Sequence, residues 1–243
     1  PPAAPACAET VALPDREVVD VSRESAFKVW AHGYPFRTVR WHFHPEYEIH
    51  LVTATSGRSF IGDYIGRFEP GNLVLVGPNL PHNWISDLAR DEVVPRRSIV
   101  VQFPGEFIQG CMQVIPELRS VDALLRRAAR GIEAVRGADA ATREVFEAML
   151  QAEGAGRIGL FFHLLGVLQK TEFRSLASER FTPRPELYAS QPLNQVLEHI
   201  RRSLCEDITQ AEMAEISGFT PSAFSRAFSE HTGMTFVRYV NRL

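Results

Sequence analysis

From about Thr38 to Phe103 the chain alternates short apolar pieces with turn residues. Ile49 to Val52, Leu73 to Val76 and Ile99 to Phe103 are such pieces, and glycines at 57, 62, 66, 71 and 77 and prolines at 45, 70, 78 and 81 separate them. Regular short strands with this punctuation predict an antiparallel barrel or sandwich. Within it, Gly62-Asp63-Tyr64-Ile65-Gly66 is a hairpin signal. Beyond Phe107 the apolar period lengthens. Leu118, Val121, Leu124 and Leu125, then Val145, Phe146 and Met149, then Leu160, Leu164, Leu165 and Leu168 recur at helical spacing, with Gly131, Gly137, Gly154 and Gly156 in the breaks. Arg174 to Gln191 carries Pro183, Pro185 and Ser190 without clear periodicity and reads as a linker.

A third pattern follows. Pro192 suits a first helical position, and Leu193, Val196, Leu197, Ile200 and Leu204 form one apolar stripe of a packing helix that ends near Cys205. Thr209-Gln210-Ala211-Glu212 is a capping box, so the next helix starts at Gln210, with Ala211, Ala214 and Ile216 inward and Gly218 at its left-handed end. Phe219 plugs the turn, Thr220 caps, and Pro221 opens a third helix whose Phe224 and Phe228, four residues apart, point inward. Two short helices around a glycine-containing turn are the arrangement of a helix-turn-helix, which leaves Ser222, Ser225, Arg226 and Ser229 facing outward where base edges are read. An all-α subdomain with no DNA contact has the same pattern.

Composition sets bounds on this picture. Of 243 residues, 45% are apolar and 23% charged, an ordinary globular mixture, and no apolar run approaches the ~18 residues of a membrane span. The opening Pro1 to Ala6 stretch lacks the basic start and apolar centre of a secretory signal and reads as a loose tail. Cys7, Cys111 and Cys205 are too scattered for a disulfide framework or a thiolate zinc site, which points to a reduced, cytoplasmic setting. The net charge of -3, with six Arg against seven Asp plus Glu from Pro183 onward, means that DNA binding rests on pattern and not on a basic domain.

The run from Ile208 through Pro221 to Phe228, continuing through Thr232-Gly233-Met234-Thr235-Phe236 to Tyr239-Val240, resembles the first helix-turn-helix of the AraC/XylS family of regulators. The resemblance implies two helix-turn-helices joined by a long helix, begun here by Phe236, Tyr239, Val240 and Leu243. The chain ends where the second would begin, so the DNA-binding domain is expected to be truncated. Carried residue by residue, the family's base-contacting positions fall on Ser222, Ser225 and Arg226. The family further implies a homodimer on double-stranded promoter DNA, and contact with RNA polymerase if the protein is an activator.

The N-terminal half has its own constellation. His42-Phe43-His44-Pro45-Glu46-Tyr47-Glu48 puts His42, His44 and Glu48 at even spacing, on one face if a strand runs through the proline, and His82 follows in Pro81-His82-Asn83-Trp84. This is similar to the cupin motif HxHxxxE with a distant His. Three imidazoles and a carboxylate can hold Zn, Ni, Mn or Fe, and the same residues can line a metal-free pocket, as cupin barrels of AraC-type sensors do. Trp84, Trp41 and Phe43 can stack on a ligand ring or serve as core. His50 shares the parity of Glu48 and is expected to lie outside the site.

The expected fold class is α+β. An antiparallel cupin-like β-barrel for effector sensing (1–110) is followed by a helical dimerisation and linker section (111–180) and an all-α helix-turn-helix domain (181–243). The expected function is a non-enzymatic regulator that senses a small molecule, such as a sugar or polyol, through His42, His44, Glu48, His82 and Trp84. No cofactor is required, and a divalent metal on His42, His44, Glu48 and His82 is the open alternative. The rival functions are a metal-dependent cupin enzyme, a dioxygenase or isomerase, and a metal-sensing regulator.

Overall fold

The structure is a computed structural model that describes residues 14–19, 25–35, 41–89, 92–185, 192–202, 208–232 and 235–241. The Pro1 to Ala6 tail, Cys7, Leu204, Cys205, Leu243 and the 186–191 part of the linker lie outside the described residues.

Eleven strands are described: β1 (Asp15–Arg16), β2 (Lys28–Tyr34), β3 (His42–Phe43), β4 (Tyr47–Val52), β5 (Gly57–Ile61), β6 (Tyr64–Phe68), β7 (Leu73–Val76), β8 (His82–Ser86), β9 (Val94–Phe103), β10 (Ile132–Ala134) and β11 (Phe173–Ser175). They form one sheet of order β1-β3-β8-β5-β6 and a second of order β11-β10-β7-β4-β9-β2. All pairs are antiparallel except β1 with β3. The sheets are open and packed face to face, where the sequence led to a closed barrel. One reason is Pro45, which has no N–H to donate: β3 stops before it and β4 starts after it in the other sheet. His42 and Glu48 therefore belong to opposite sheets and not to one strand face as expected.

The second sheet is apolar on one face and mixed on the other because its strands alternate strictly. Ile49 and Leu51, Leu73 and Leu75, and Ile99, Val101 and Phe103 all point away from the first sheet into one large core. Covering that face are α1 (Gly105–Val114), a 3-10 turn (Pro116–Val121), α2 (Asp122–Ala128), α3 (Ala140–Gln151) and α4 (Gly154–Lys170), whose Ile108, Leu124, Leu125, Phe146, Met149, Leu164, Leu165 and Leu168 complete the core. Phe161 of α4 is fully buried and touches the rings of Phe27 and Phe103 at 4.5 and 5.1 Å between centroids. The stretch expected to be helical contains two short strands. β10 pairs with β7, and β11 with β10, so the helical section is built into the second sheet. Three-residue strands are too short to reveal a period of two in the sequence. The last of them also takes up the first residues of the expected linker.

The C-terminal helices are α5 (Pro192–Arg202), α6 (Gln210–Ser217), α7 (Pro221–Thr232) and α8 (Phe236–Val240). The Thr209 hydroxyl accepts from the Glu212 N–H at 3.2 Å, and the Thr220 hydroxyl from the Ala223 N–H at 3.3 Å. Gly218 ends α6 at φ +69°, and the Phe219 N–H reaches back to the Ala214 carbonyl at 2.9 Å, closing the turn. Val196, Leu197, Ile200, Met213, Ala214, Phe224, Phe228 and Phe236 form a separate core. Two expected inward residues differ: Ala211 is exposed, its place taken by Met213, and Phe219 is 36% exposed. A helix of only two turns buries a narrow face, and Met213 and Ala214 already fill it.

Asp15 to Val18 ties the two parts together. The Asp15 and Glu17 amides donate to the Trp41 and Phe43 carbonyls, the Arg16 N–H donates to the buried Asn194 Oδ1 at 3.0 Å, and Val18 packs on the C-terminal core. Among the described residues no helix is long and apolar enough to cross a membrane.

Phe161→Ala should destabilise the N-terminal part by about 3 to 5 kcal/mol, because a full ring leaves a cavity that neighbouring rings cannot fill; urea unfolding of the full chain followed by tryptophan fluorescence checks this.

Candidate metal and effector site

The even residues of the second sheet face the first sheet and carry its polar groups: Glu48 and His50 on β4, Ser98 and Gln102 on β9. From the first sheet, His42 and His82 are direct cross-strand partners on β3 and β8, and His44 follows β3. His42, His44, Glu48 and His82 are all buried and each offers a ligand atom within 4.8 Å of the others. Trp84 lies beside them, but its indole is stacked on the His50 ring at 3.9 Å between centroids, with its Nε1–H donating to Asn72 Oδ1 at 3.3 Å. The indole face on that side is thus already covered.

The tautomers are set by backbone carbonyls, which can only accept. His82 Nδ1–H donates to the Leu80 carbonyl at 2.7 Å, and His44 Nδ1–H to the Glu46 carbonyl at 3.1 Å. Both therefore turn Nε2 toward Glu48, at 3.7 and 3.1 Å from its Oε2. His82 Nε2 is buried and has no hydrogen-bond partner among the described residues. A ring nitrogen held in place by a bond from the other ring nitrogen and aimed at a carboxylate and two more imidazoles is the arrangement of a metal-binding histidine. The donor set fits a borderline divalent cation such as Zn, Ni, Mn or Fe.

His50, expected outside the site, lies directly on it. Its Nδ1–H donates to Glu48 Oε1 at 2.9 Å, and its Nε2 accepts from the Ser98 hydroxyl at 2.9 Å. Gln102 Nε2–H adds a bond to Glu48 Oε2 at 2.9 Å. Burial pushes the Glu48 carboxyl up, but the His82 ring and the bonds from His44 and His50 outweigh it and hold the group well below the usual carboxylate range. Burial pushes His44 down, whereas the Glu48 bond and the Glu48 and Glu17 charges raise it to about 9. Burial lowers His50.

Four further residues of this interior were not identified from the sequence. Glu17 Oε2 lies 3.5 Å from His42 Nε2 and accepts from Gln102 at 3.3 Å, and burial raises its carboxyl. Arg97 is buried, donates to the Trp84 carbonyl at 2.9 Å and sits over the Tyr34 ring at 5.1 Å. His32 packs edge-on against His50, and Gln102 bridges the two carboxylates. The signal available for Arg97 and Gln102 was the alternation of β9; Glu17 and His32 precede the stretch where strands were recognised. With these groups in place, the space left between Glu17, His42, Glu48, His50 and Arg97 is about 10 Å³, room for one water or ion and not for a sugar.

At the other end of the molecule, Ser222 and Arg226 are exposed on α7 and Ser225 is half-buried, with Phe224 and Phe228 fully inward. The expected outward position is thus seen for Ser222 and Arg226 and only in part for Ser225.

His32 is lowered to about 4, first by burial and then by the charges of His50 and Arg97, which outweigh the Gly33 carbonyl bond and Glu48. Its neutral form contributes stability that is present above pH 6.5 and is lost as pH falls toward 4, because the unfolded ring takes up the proton first. Between pH 7 and pH 4.5, the drop in unfolding free energy should be about 2 to 3 kcal/mol smaller for His32→Gln than for the unmodified chain, read from urea unfolding at both pH values.

A family model described as the AraC-like ligand binding domain matches residues 30–182. No curated protein matches the chain. Among solved structures the chain is similar to ToxT from Vibrio cholerae, at 10% identity over 90% of this chain and 99% of that one, with a TM-score of 0.47. It is also similar to the AraC-like transcriptional activator CuxR, at 11% identity over 82% of this chain and 65% of that one, with a TM-score of 0.33. A Cupin 2 conserved barrel domain protein from Salinispora arenicola matches at 20% identity over 36% of this chain and 67% of that one, with a TM-score of 0.26.

Proposed function

The chain belongs to the AraC-like ligand-binding domain family, and from that premise we propose that it is a transcription regulator that binds promoter DNA through α6 and α7 in response to an effector held by its N-terminal domain. The family is one of regulators and not of enzymes, so the dioxygenase and isomerase alternatives fall away. The observation that carries the reading is the joining, in one chain, of a ligand-binding domain of this family to a separately cored helix pair with a left-handed glycine turn and an exposed Ser222-Arg226 face. In this reading α7 enters the major groove, Arg226 pairs with a guanine edge or a phosphate, and Ser222 and Ser225 contact bases or backbone. The proposed division has two units, the sensor together with the helical section built into it and the DNA-binding part, with a homodimer across two half-sites.

Arg226→Ala should weaken binding to the chain's own upstream DNA by about 1 to 3 kcal/mol. Titration of labelled duplex over a range of salt checks it. Loss of sequence preference supports base contact, and a uniform loss with a shallower salt slope supports phosphate contact. No specific binding at any salt sinks the proposal.

The interior favours a second reading, in which the cation is itself the effector. Three imidazoles and Glu48 converge, and His82 Nε2 is buried with no hydrogen-bond partner among the described residues. A bound divalent ion would supply positive charge among Glu48 and Glu17 and fix the His42, His44 and His82 rings. Untagged protein should then bind about one equivalent of Zn, Co or Ni. His82→Ala should lower that affinity at least tenfold, as the loss of one ligand from four requires; equilibrium dialysis with elemental analysis reads both, and equal binding by the variant would overturn the assignment.

A further inference from the structure

The interior between the sheets is filled, but the outer edge of the second sheet is not. An open groove of about 500 Å³ lies between the turn Glu69 to Asn72, strand β10 and the loop from Val135 to Ala138 that leads into α3. That volume lies in the ~300 to 1,000 Å³ range of small-molecule pockets. Four arginines, 67, 136, 143 and 174, line it against two glutamates, 69 and 133.

The pairing of these charges is uneven. Glu133 is buried in the floor, where it accepts from Asn72 Nδ2–H and from Arg174 through Nε at 2.7 Å and Nη2 at 2.5 Å, so its charge is spent on Arg174. Arg67 reaches outward to Asp87 at 3.6 Å. Arg143 is held by a neutral group, its Nε–H donating to the Ala138 carbonyl at 3.2 Å. Arg136 is exposed and makes no ion pair among the described residues.

The wall is shaped by two glycines. Gly71, at φ +99°, lies under the Arg143 guanidinium, where an added Cβ would be 2.4 Å from Nη2; Gly137, at φ +67°, would put a Cβ 2.7 Å from the Gly71 carbonyl oxygen. Only glycine tolerates both the backbone angle and the approach. The Ala138 N–H closes the crossing on the Gly71 carbonyl at 2.8 Å. The loop carrying Arg136 and the start of the helix carrying Arg143 are thereby fastened to the groove.

We infer that this groove binds a small oxyanion-bearing metabolite, a phosphate or a carboxylate, held by Arg136 and Arg143. Guanidinium forks match the geometry of both anions. The floor is hydrogen-bonded inward through Asn72 to Trp84, whose ring covers His50, so a ligand here contacts the wall of the inner cluster. This names the chemical class of an organic effector for the ligand-responsive domain and rests on that part of the reading alone; DNA recognition stands or falls by its own test.

The experiment is thermal unfolding of the full chain in inorganic phosphate and, separately, in succinate, each against sodium chloride at matched ionic strength. One anion should raise the midpoint in a saturable way, and which one does so separates the phosphate from the carboxylate source. Arg136→Glu, at an exposed position with no ion pair to lose, should weaken the apparent affinity at least tenfold while leaving the chloride baseline unchanged. Arg143→Ala should weaken it in the same direction. No saturable shift with either anion, or full retention in both variants, overturns the inference, as does a shift that vanishes instead in Arg226→Ala, which would assign the anion to the C-terminal helices.

Discussion

A carboxylate removed from water must be neutralised by its surroundings, and Glu48, 3% exposed between two sheets, sets that requirement for the centre of this protein. Replacing the hydration of such a group takes several oriented donors. Here they come from both sheets: His50 and Gln102 on its own side and His44 on the other. Each of those rings is itself oriented, by the Ser98 hydroxyl or by a backbone carbonyl. The network fills the interior, and filling it leaves little space beside His42 and Glu48. A half-satisfied buried network is worse than an apolar core, which is why so many polar residues accompany one glutamate.

The strands can carry this network because their two faces have different tasks. Ile49 and Leu51 alternate with Glu48 and His50 on β4, and Ile99 and Val101 alternate with Ser98 and Gln102 on β9. One face builds the apolar core with the helices, and that core pins the register of the other. A one-residue slip would turn the leucines and isoleucines toward the first sheet and bury the network against α4. The hydrophobic face therefore positions the polar site, and stability and site geometry rest on the same pairing.

Position along the chain also matters. Asp15 to Val18 pairs beside β3, delivers Glu17 to the interior, bonds Asn194 of α5 through the Arg16 amide and packs Val18 on the C-terminal core. One short stretch thus touches both the charged interior and the helices that carry Arg226. Their remaining contacts leave α6 and α7 with a core of their own, closed by Phe224, Phe228 and Phe236.

Much of this was legible in the amino-acid sequence, because it is local. The Thr209 cap, the left-handed Gly218, the helix start at Pro221 and the inward pair Phe224 and Phe228 are set by residues within one or two turns of each other. The four candidate ligands were likewise readable from residue type and spacing. What only the tertiary structure decided depends on distant pairing. Pro45 sends His42 and Glu48 to opposite sheets, so they meet across an interior and not along a strand. His50 joins Glu48 because both face that interior, and Glu17, His32 and Arg97 arrive from segments whose partners are tens of residues away. The small β10 and β11 exist only because β7 offers an edge. Periodicity records which face a residue takes; it carries no information about what stands opposite, and burial, charge compensation and the space left for a ligand are all set by what stands opposite.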